Sequence, residues 1–261
     1  MPSRFAIVTA KELCILAMVA KTTIFLDGDD TLWKTQELYN DAKSKFAFLL
    51  NESGIPESQE SIILKFDAMD ALRVATRGLT PQRFTESMLI LYSSLASQFS
   101  LEYKTSIEKK ILDISRTIRQ PPKLYEDTVD SLVSLKKEFR LILFTAGHPS
   151  TQKRKILSLH RHSFDVESYF DEIRIVPLKN EERLRRVLKL MKLSPHEVWF
   201  LGNSLRSDIL PAVSVGANAV LVNRGAWKYD DKDTSHIKNI QWYTTSSLSD
   251  AAQIVIDIFC K

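Results

Sequence analysis

Five short apolar runs, rich in β-branched residues, punctuate the chain at residues 22–26, 141–144, 173–176, 198–201 and 219–222. Each is too short for a helix and lacks the polar alternation of a half-exposed strand, so each reads as a strand buried on both faces of a parallel sheet. Between them lie segments whose apolar positions recur every three to four residues. Residues 125–139 put Val129, Leu132, Val133 and Leu135 on one helical face, and residues 181–191 do the same with Leu184, Val187, Leu188 and Met191. Strands alternating with helices predict an α/β fold, a Rossmann-like doubly wound parallel sheet.

Residues 34–120 break the alternation: they carry several long helical patterns and no convincing strand. Helix stops stand at Ser53-Gly54-Ile55-Pro56, at Arg77-Gly78 followed by Thr80-Pro81, and at Pro121-Pro122. The chain is therefore expected to divide into an α/β core of residues 1–33 and 121–261, interrupted by an inserted helical bundle at 34–120. The tail at 247–259 reads as a last amphipathic helix capped by Ser247 or Ser249. At the other end, residues 5–20 are apolar in patches, but Lys11 and Glu12 interrupt them. They match neither a secretion signal nor a membrane span, which needs about 20 mostly apolar residues. The first 20 residues are either an extra helix or an upstream extension, with Met18 a candidate natural start.

Composition narrows the class without naming the chemistry. With 261 residues, 44% of them hydrophobic, the chain can bury a sizeable core. Its net charge of +4 is the balance of 36 basic and 32 acidic residues spread along the sequence, which argues against a nucleic-acid partner. Cys14 and Cys260 sit near opposite ends without companions, so neither a disulfide framework nor a zinc site is expected, and a cytoplasmic, reducing setting fits best. No membrane partner is expected, and monomer or homodimer is left open.

In an open parallel sheet, ligands bind beyond the carboxyl ends of the strands. The residues there form a set: Asp27-Gly28-Asp29-Asp30-Thr31 after the first run, Thr145-Ala146-Gly147 after the second, Lys179 after the third, and Gly202-Asn203-Ser204 with Asp208 after the fourth. Each alone has a plainer reading. Asp27 to Asp30 suit a turn, Thr145 a strand-end cap, Lys179 a solvated surface, and Asp208 the N-cap of the helix that follows. His148 reads as a loop residue within reach of substrate, Trp33 as hinge or core packing, and the basic runs at 153–155 and 183–186 as solvated helix faces.

Taken in order, the four strand-end motifs resemble those of the haloacid dehalogenase (HAD) superfamily, with the helical insertion where its C1-type cap lies, and the likeness runs from about residue 22 to nearly the end of the chain. The resemblance implies a Mg²⁺-dependent phosphomonoester hydrolase acting on a small phosphorylated metabolite. Asp27 would be the nucleophile that forms an aspartyl-phosphate, and Asp29 the acid/base that protonates the leaving oxygen and then activates water. Thr145 and the Ala146 amide would hold a phosphoryl oxygen, and Lys179 would offset charge on nucleophile and phosphate. Asp27, the Asp29 carbonyl, Asn203 and Asp208 would hold the metal, Asp208 either directly or through a bound water. An acid at position 29 favours phosphate esters, since dehalogenases and phosphonatases of the superfamily lack one there. The chain departs from the pattern at Asn203, where the fourth motif usually carries Asp; this implies weaker metal binding. Arg73, Arg77 and Arg83 in the insertion are the expected specificity residues. A phosphomutase, or a weakly catalytic phosphate-binding scaffold of the same fold, is the alternative.

Overall fold

The computed structural model describes residues 22–162, 164–225 and 242–259. The expectations for the first 20 residues, Met18, Cys14 and Cys260 lie outside these residues. Six strands form one sheet: β1 (Thr23–Leu26), β2 (Arg140–Ala146), β3 (Glu172–Val176), β4 (Val198–Gly202), β5 (Asn218–Val222) and β6 (Tyr243–Thr245). All neighbours pair in parallel in the order β3-β2-β1-β4-β5-β6, with β1 at the centre, where Phe25 lies beside Ile142 on one side and Phe200 on the other. The five expected runs are all strands. The sixth is only three residues long and largely exposed at its edge, which is why no apolar run announces it.

Because successive strand residues point to opposite faces, each strand feeds two cores. On one face Ile24, Leu26, Leu141 and Leu143 pack with Leu132 and Leu135 of α5 (Thr128–Glu138) and with Leu248 and Val255 of α10 (Leu248–Phe259). On the other, Phe25, Ile142, Phe144 and Phe200 pack with Leu184, Val187 and Leu188 of α8 (Glu181–Met191) and with Ala212 of α9 (Leu210–Ser214). Phe25 stacks on Phe200 with ring centroids 4.6 Å apart.

Four helices intervene between β1 and β2: α1 (Thr35–Glu52), α2 (Gln59–Arg77), α3 (Arg83–Gln98) and α4 (Thr105–Arg116), followed by a 3₁₀ turn at Thr117–Arg119. They have a core of their own, in which Phe46, Phe66, Phe84, Met88 and Ile111 are buried together. The chain enters and leaves this layer side by side: Trp33 bridges Leu124 in antiparallel fashion, and the Lys34 amide donates to the Lys123 carbonyl at 2.7 Å. Of the two serines expected to cap α10, it is Ser247 that does so, its hydroxyl accepting from the Asp250 amide at 3.0 Å. Asp127 completes the cap from the far end of the sequence, accepting from the Leu248 amide at 2.7 Å. The remaining α-helices are α6 (Pro149–Arg161), after β2, and the short α7 (Val166–Tyr169). Among the described residues no helix is long and apolar enough to cross a membrane.

Candidate active site

The tip of β1 makes the first wall. Asp27 follows Leu26 directly, and its amide donates to the Leu201 carbonyl of β4 at 2.9 Å, so the strand pairing itself fixes where its carboxylate emerges. Gly28 must be glycine, because a Cβ there would overlap the Trp33 indole folded beneath it. Asp30 turns the chain through the left-handed region at φ 57°. Its carboxyl accepts from the Gln36 amide at 2.7 Å, tying the loop to α1, and burial raises its pKa to about 6.

A buried charge cluster forms the floor. Lys179 Nζ reaches Asp27 Oδ1 and Asp208 Oδ1, each at 2.5 Å, and all three side chains are almost wholly enclosed. Burial pushes the Asp27 carboxyl up to about 7, against the pull of Lys179 and with the push of Asp208 and Asp29. Burial works against the Lys179 ammonium too, but Asp208 and Asp27 outweigh it and its pKa is raised. Lys179 is thus a buried counter-charge and not a solvated lysine.

Asp208 does not cap the helix after β4. Ser204 takes that place, accepting from the Ser207 amide at 2.9 Å. The chain winds as one π-turn over Leu205–Ile209, which carries Asp208 inward, where its Oδ2 accepts from the Ser204 amide at 3.0 Å. Gly202 permits this approach, since a Cβ on it would strike the Asp208 carboxyl. Thr31 bridges the first and fourth strand ends: its hydroxyl lies 3.4 Å from Asp27 Oδ2 and 3.3 Å from Asn203 Oδ1.

Asp29 is surrounded by donors. Its Oδ1 accepts from Trp33 Nε1 at 2.6 Å, Thr35 Oγ1 at 2.8 Å and Lys155 Nζ at 2.5 Å, and its Oδ2 from Gln152 Nε2 at 3.0 Å. Burial opposes ionisation, but Lys155, Gln152 and Trp33 overcome it and bring the pKa down to about 2. This corrects the reading of residues 153–155 as a uniformly solvated face. On α6, Lys155 turns inward to Asp29 and Arg154 lines the cavity, whereas Arg185 and Arg186 on α8 do lie on a solvated face, paired with Glu181 and Glu182. Sequence reasoning missed Gln152 and Lys155 as Asp29 partners; the only signal was their place in the helix after the Thr145 motif, on adjacent turns of one face. Trp33 is core, as expected, and also orients Asp29.

Thr145 is fully buried at the end of β2, and its hydroxyl has no hydrogen-bond partner among the described residues. His148 N-caps α6, its Nδ1 accepting from the Ser150 amide at 3.3 Å. The sequence-named residues Asp27, Asp29, Thr145, Ala146, His148, Lys179, Asn203 and Asp208 all line one cavity of about 230 Å³ between the sheet and the helical layer. Tyr39, Phe66, Phe84 and Arg119 line it from the helical side. The three arginines expected to set specificity are mostly engaged elsewhere. Arg73 pairs with Glu86 and Arg83 with Asp70, Arg77 is exposed, and only Arg83 lines the cavity.

Similarity to known proteins points to one family. The model of the haloacid dehalogenase-like hydrolases matches residues 21–216. A glyceraldehyde 3-phosphate phosphatase of Methanothermobacter thermautotrophicus is 26% identical over 215 residues, covering 77% of this chain and 84% of that protein. The N-acylneuraminate-9-phosphatase of Rattus norvegicus is 28% identical over 145 residues, 53% of this chain and 54% of that enzyme. In fold, the chain is similar to a haloacid dehalogenase-like family hydrolase from Xanthomonas campestris, with a TM-score of 0.74 at 22% identity over 92% of this chain and 96% of the other.

Proposed function

This chain belongs to the haloacid dehalogenase-like hydrolase family, and on that premise we propose that it hydrolyses a small phosphomonoester through an aspartyl-phosphate on Asp27. One observation carries the reading: a buried carboxylate, a buried lysine and a buried hydroxyl lacking a partner among the described residues converge on a single cavity. A phosphoryl group repels an anionic nucleophile, so its charge must be offset where attack occurs. Lys179 offers that positive charge beside Asp27, and the Thr145 hydroxyl and Ala146 amide offer donors to a phosphoryl oxygen.

An Asp27 oxygen attacks phosphorus, the bond from phosphorus to the ester oxygen breaks, and Asp29 delivers a proton to the departing oxygen. Water then attacks the aspartyl-phosphate, Asp29 takes its proton, and inorganic phosphate leaves with Asp27 restored. Acid/base help of this kind contributes roughly 10²–10⁴ in rate. The donors around Asp29 hold it ionised, the form the second half needs, so for the first half it must exchange the Lys155 contact for a proton.

The donor set suits Mg²⁺. Asp27 and Asp208 present carboxylate oxygens and Asn203 offers its amide Oδ1, and hard cations take oxygen ligands. Asp27, the Asp29 carbonyl, Asn203 and Asp208 would hold the ion, which when bound supplies neutralisation of phosphoryl charge. Among the described residues no three His, Cys, Asp or Glu side chains cluster as a metal site. Residues 34–120 act as a cap over the core of 1–33 and 121–261, admitting substrate and excluding bulk water. A small phosphorylated metabolite is the substrate class, a reading supported by relatives named for glyceraldehyde 3-phosphate and N-acylneuraminate 9-phosphate.

The test is Mg²⁺-dependent phosphate release from a panel of phosphomonoesters beside Asp27→Asn. Release that vanishes in the variant supports the phosphatase. No release from any ester rejects it, in favour of a mutase if a sugar phosphate is isomerised, or of a phosphate-binding protein if it is only bound.

A further inference from the structure

Six lysine and arginine side chains line the cavity, and four of them are already matched by an anion. Lys179 meets Asp27 and Asp208, Lys155 meets Asp29, Lys43 meets Asp67 at 3.0 Å, and Arg83 meets Asp70. Asp30, the other carboxylate in the lining, is turned to the Gln36 amide. Among the described residues this leaves Arg119 and Arg154 with no hydrogen bond or ion pair, although both line the cavity. They come from opposite layers, Arg119 from the 3₁₀ turn that ends the helical insertion and Arg154 from α6 of the α/β core. Both are largely exposed, which places them where the cavity opens to solvent.

Two guanidiniums facing one opening from two layers repel each other unless an anion lies between them. Partial burial first, and then the charge of Arg119, lower the pKa of Arg154, against the opposing effect of Tyr39. Guanidinium forks match carboxylate and phosphate oxygens in paired hydrogen bonds, so the pair is chemically suited to an anion and to little else. Asp27 and Lys179 are buried in the lining of the same cavity whereas both arginines are exposed, so an ester with its phosphate on Asp27 has room for its leaving group on the solvent side, where these arginines stand.

We propose that Arg119 and Arg154 form a subsite for a second anionic group, and that the substrate is a phosphomonoester whose leaving group carries a carboxylate or a further phosphate at its far end. The proposal rests on the phosphatase reading for which end of the ligand lies on Asp27, and on nothing else in it. It also makes the cap's closure dependent on the substrate, since the dianionic ester joins two layers that otherwise repel at that point.

The test separates the subsite from turnover. In an Asp27→Asn host, binding of straight-chain alkyl phosphates of increasing length is measured by calorimetry, each in a neutral, an ω-carboxylate and an ω-phosphate form. The same set is measured after adding Arg119→Gln and Arg154→Gln. At one chain length an ω-anion is expected to bind about tenfold to a hundredfold more tightly than the neutral ester, the range of a charge-assisted hydrogen-bond pair. In the double variant that preference falls to about one, while Tm does not drop, because no ion pair is lost. Which ω-group gains more tells carboxylate from phosphate. Equal binding at every length, no binding of either anionic series, or a preference untouched by the double substitution overturns the proposal. Phosphate release by the wild-type chain, scored separately, decides the phosphatase reading alone.

Discussion

Replacing Asn203 with Asp tests the metal site more sharply than removing any ligand. The side chains are nearly isosteric, and among the described residues Asn203 Nδ2 has no hydrogen-bond acceptor, so no donor interaction is lost there. The Thr31 hydroxyl stands 3.3 Å from Asn203 Oδ1 and 3.4 Å from Asp27 Oδ2, which places a carboxylate at 203 about one hydroxyl's span from the nucleophile. Two negative charges about 6 Å apart at an effective dielectric of about 20 repel by about 3 kcal/mol, and the Lys179 ammonium screens part of this. Without Mg²⁺ the Asn203→Asp variant should therefore lose about 1–3 kcal/mol, lowering Tm by about 2–12 °C at this chain length. With a divalent cation the sign reverses, because the added charge is attracted instead of repelled. Half-saturating Mg²⁺ should fall by about 10–100-fold, in the range that a changed metal environment commonly produces. Thermal unfolding titrated with MgCl₂ reads both effects, and phosphate release against Mg²⁺ reads the second independently. A folded variant whose Mg²⁺ dependence matches the wild type would refute the assignment of Asn203 to the metal.

Three further outcomes follow from the same geometry. Asp27→Asn should cut phosphate release by at least about a thousandfold, since no other carboxylate lies where it does; a smaller loss in the folded protein would transfer the nucleophile's role elsewhere. Lys155→Met should destabilise the chain at pH 7 and progressively less in acid. Asp29, held near 2 and so below its ordinary value, contributes stability above about pH 4 that disappears as pH falls through about 2, and a Tm gap from wild type that stays constant over that window would contradict the pairing. Asp127→Ala should cost about 3 kcal/mol, or about 6–12 °C in Tm, because it uncaps α10 and strands Arg224, whose guanidinium meets both Asp127 oxygens at 2.6 and 2.8 Å and lies 4.1 Å from the Tyr125 ring centroid. Asp127→Asn, keeping the cap acceptor, should cost less; an equal loss would mean the cap contributes nothing.

The sheet was legible because buried parallel strands are near-continuous apolar runs, and β1, β2, β3, β4 and β5 all carry one. The edge strand Tyr243–Thr245 was not, because an edge has only one neighbour to bury against and needs no such run. The strand-end residues were legible for a topological reason: parallel pairing brings the residues after β1, β2, β3 and β4 to one side of the sheet, whatever their separation in sequence. The partners of those residues were not legible in the same way. Gln152 and Lys155 reach Asp29 across more than a hundred positions only because α6 packs back over the sheet, and a lysine in a basic run gives no sign of which way it turns.

The arginines show why charge alone misleads. Arg73 and Arg83 sit in the insertion, where specificity is expected to reside, yet α2 and α3 pack so that Glu86 and Asp70 neutralise them. Arg119 and Arg154 are each unremarkable in sequence, one at the end of the insertion and one in the basic run after β2. Their property is relational: both line one opening, and no carboxylate among the described residues meets either. A charge outside the catalytic cluster is freer to select a ligand when the fold leaves it without an internal partner, because a satisfied ion pair must be broken and desolvated before it can bind anything else. Selection of substrate is then decided less by where cations are placed than by where the matching anions are withheld. That is fixed by packing between layers, so it becomes visible only when both layers are in view.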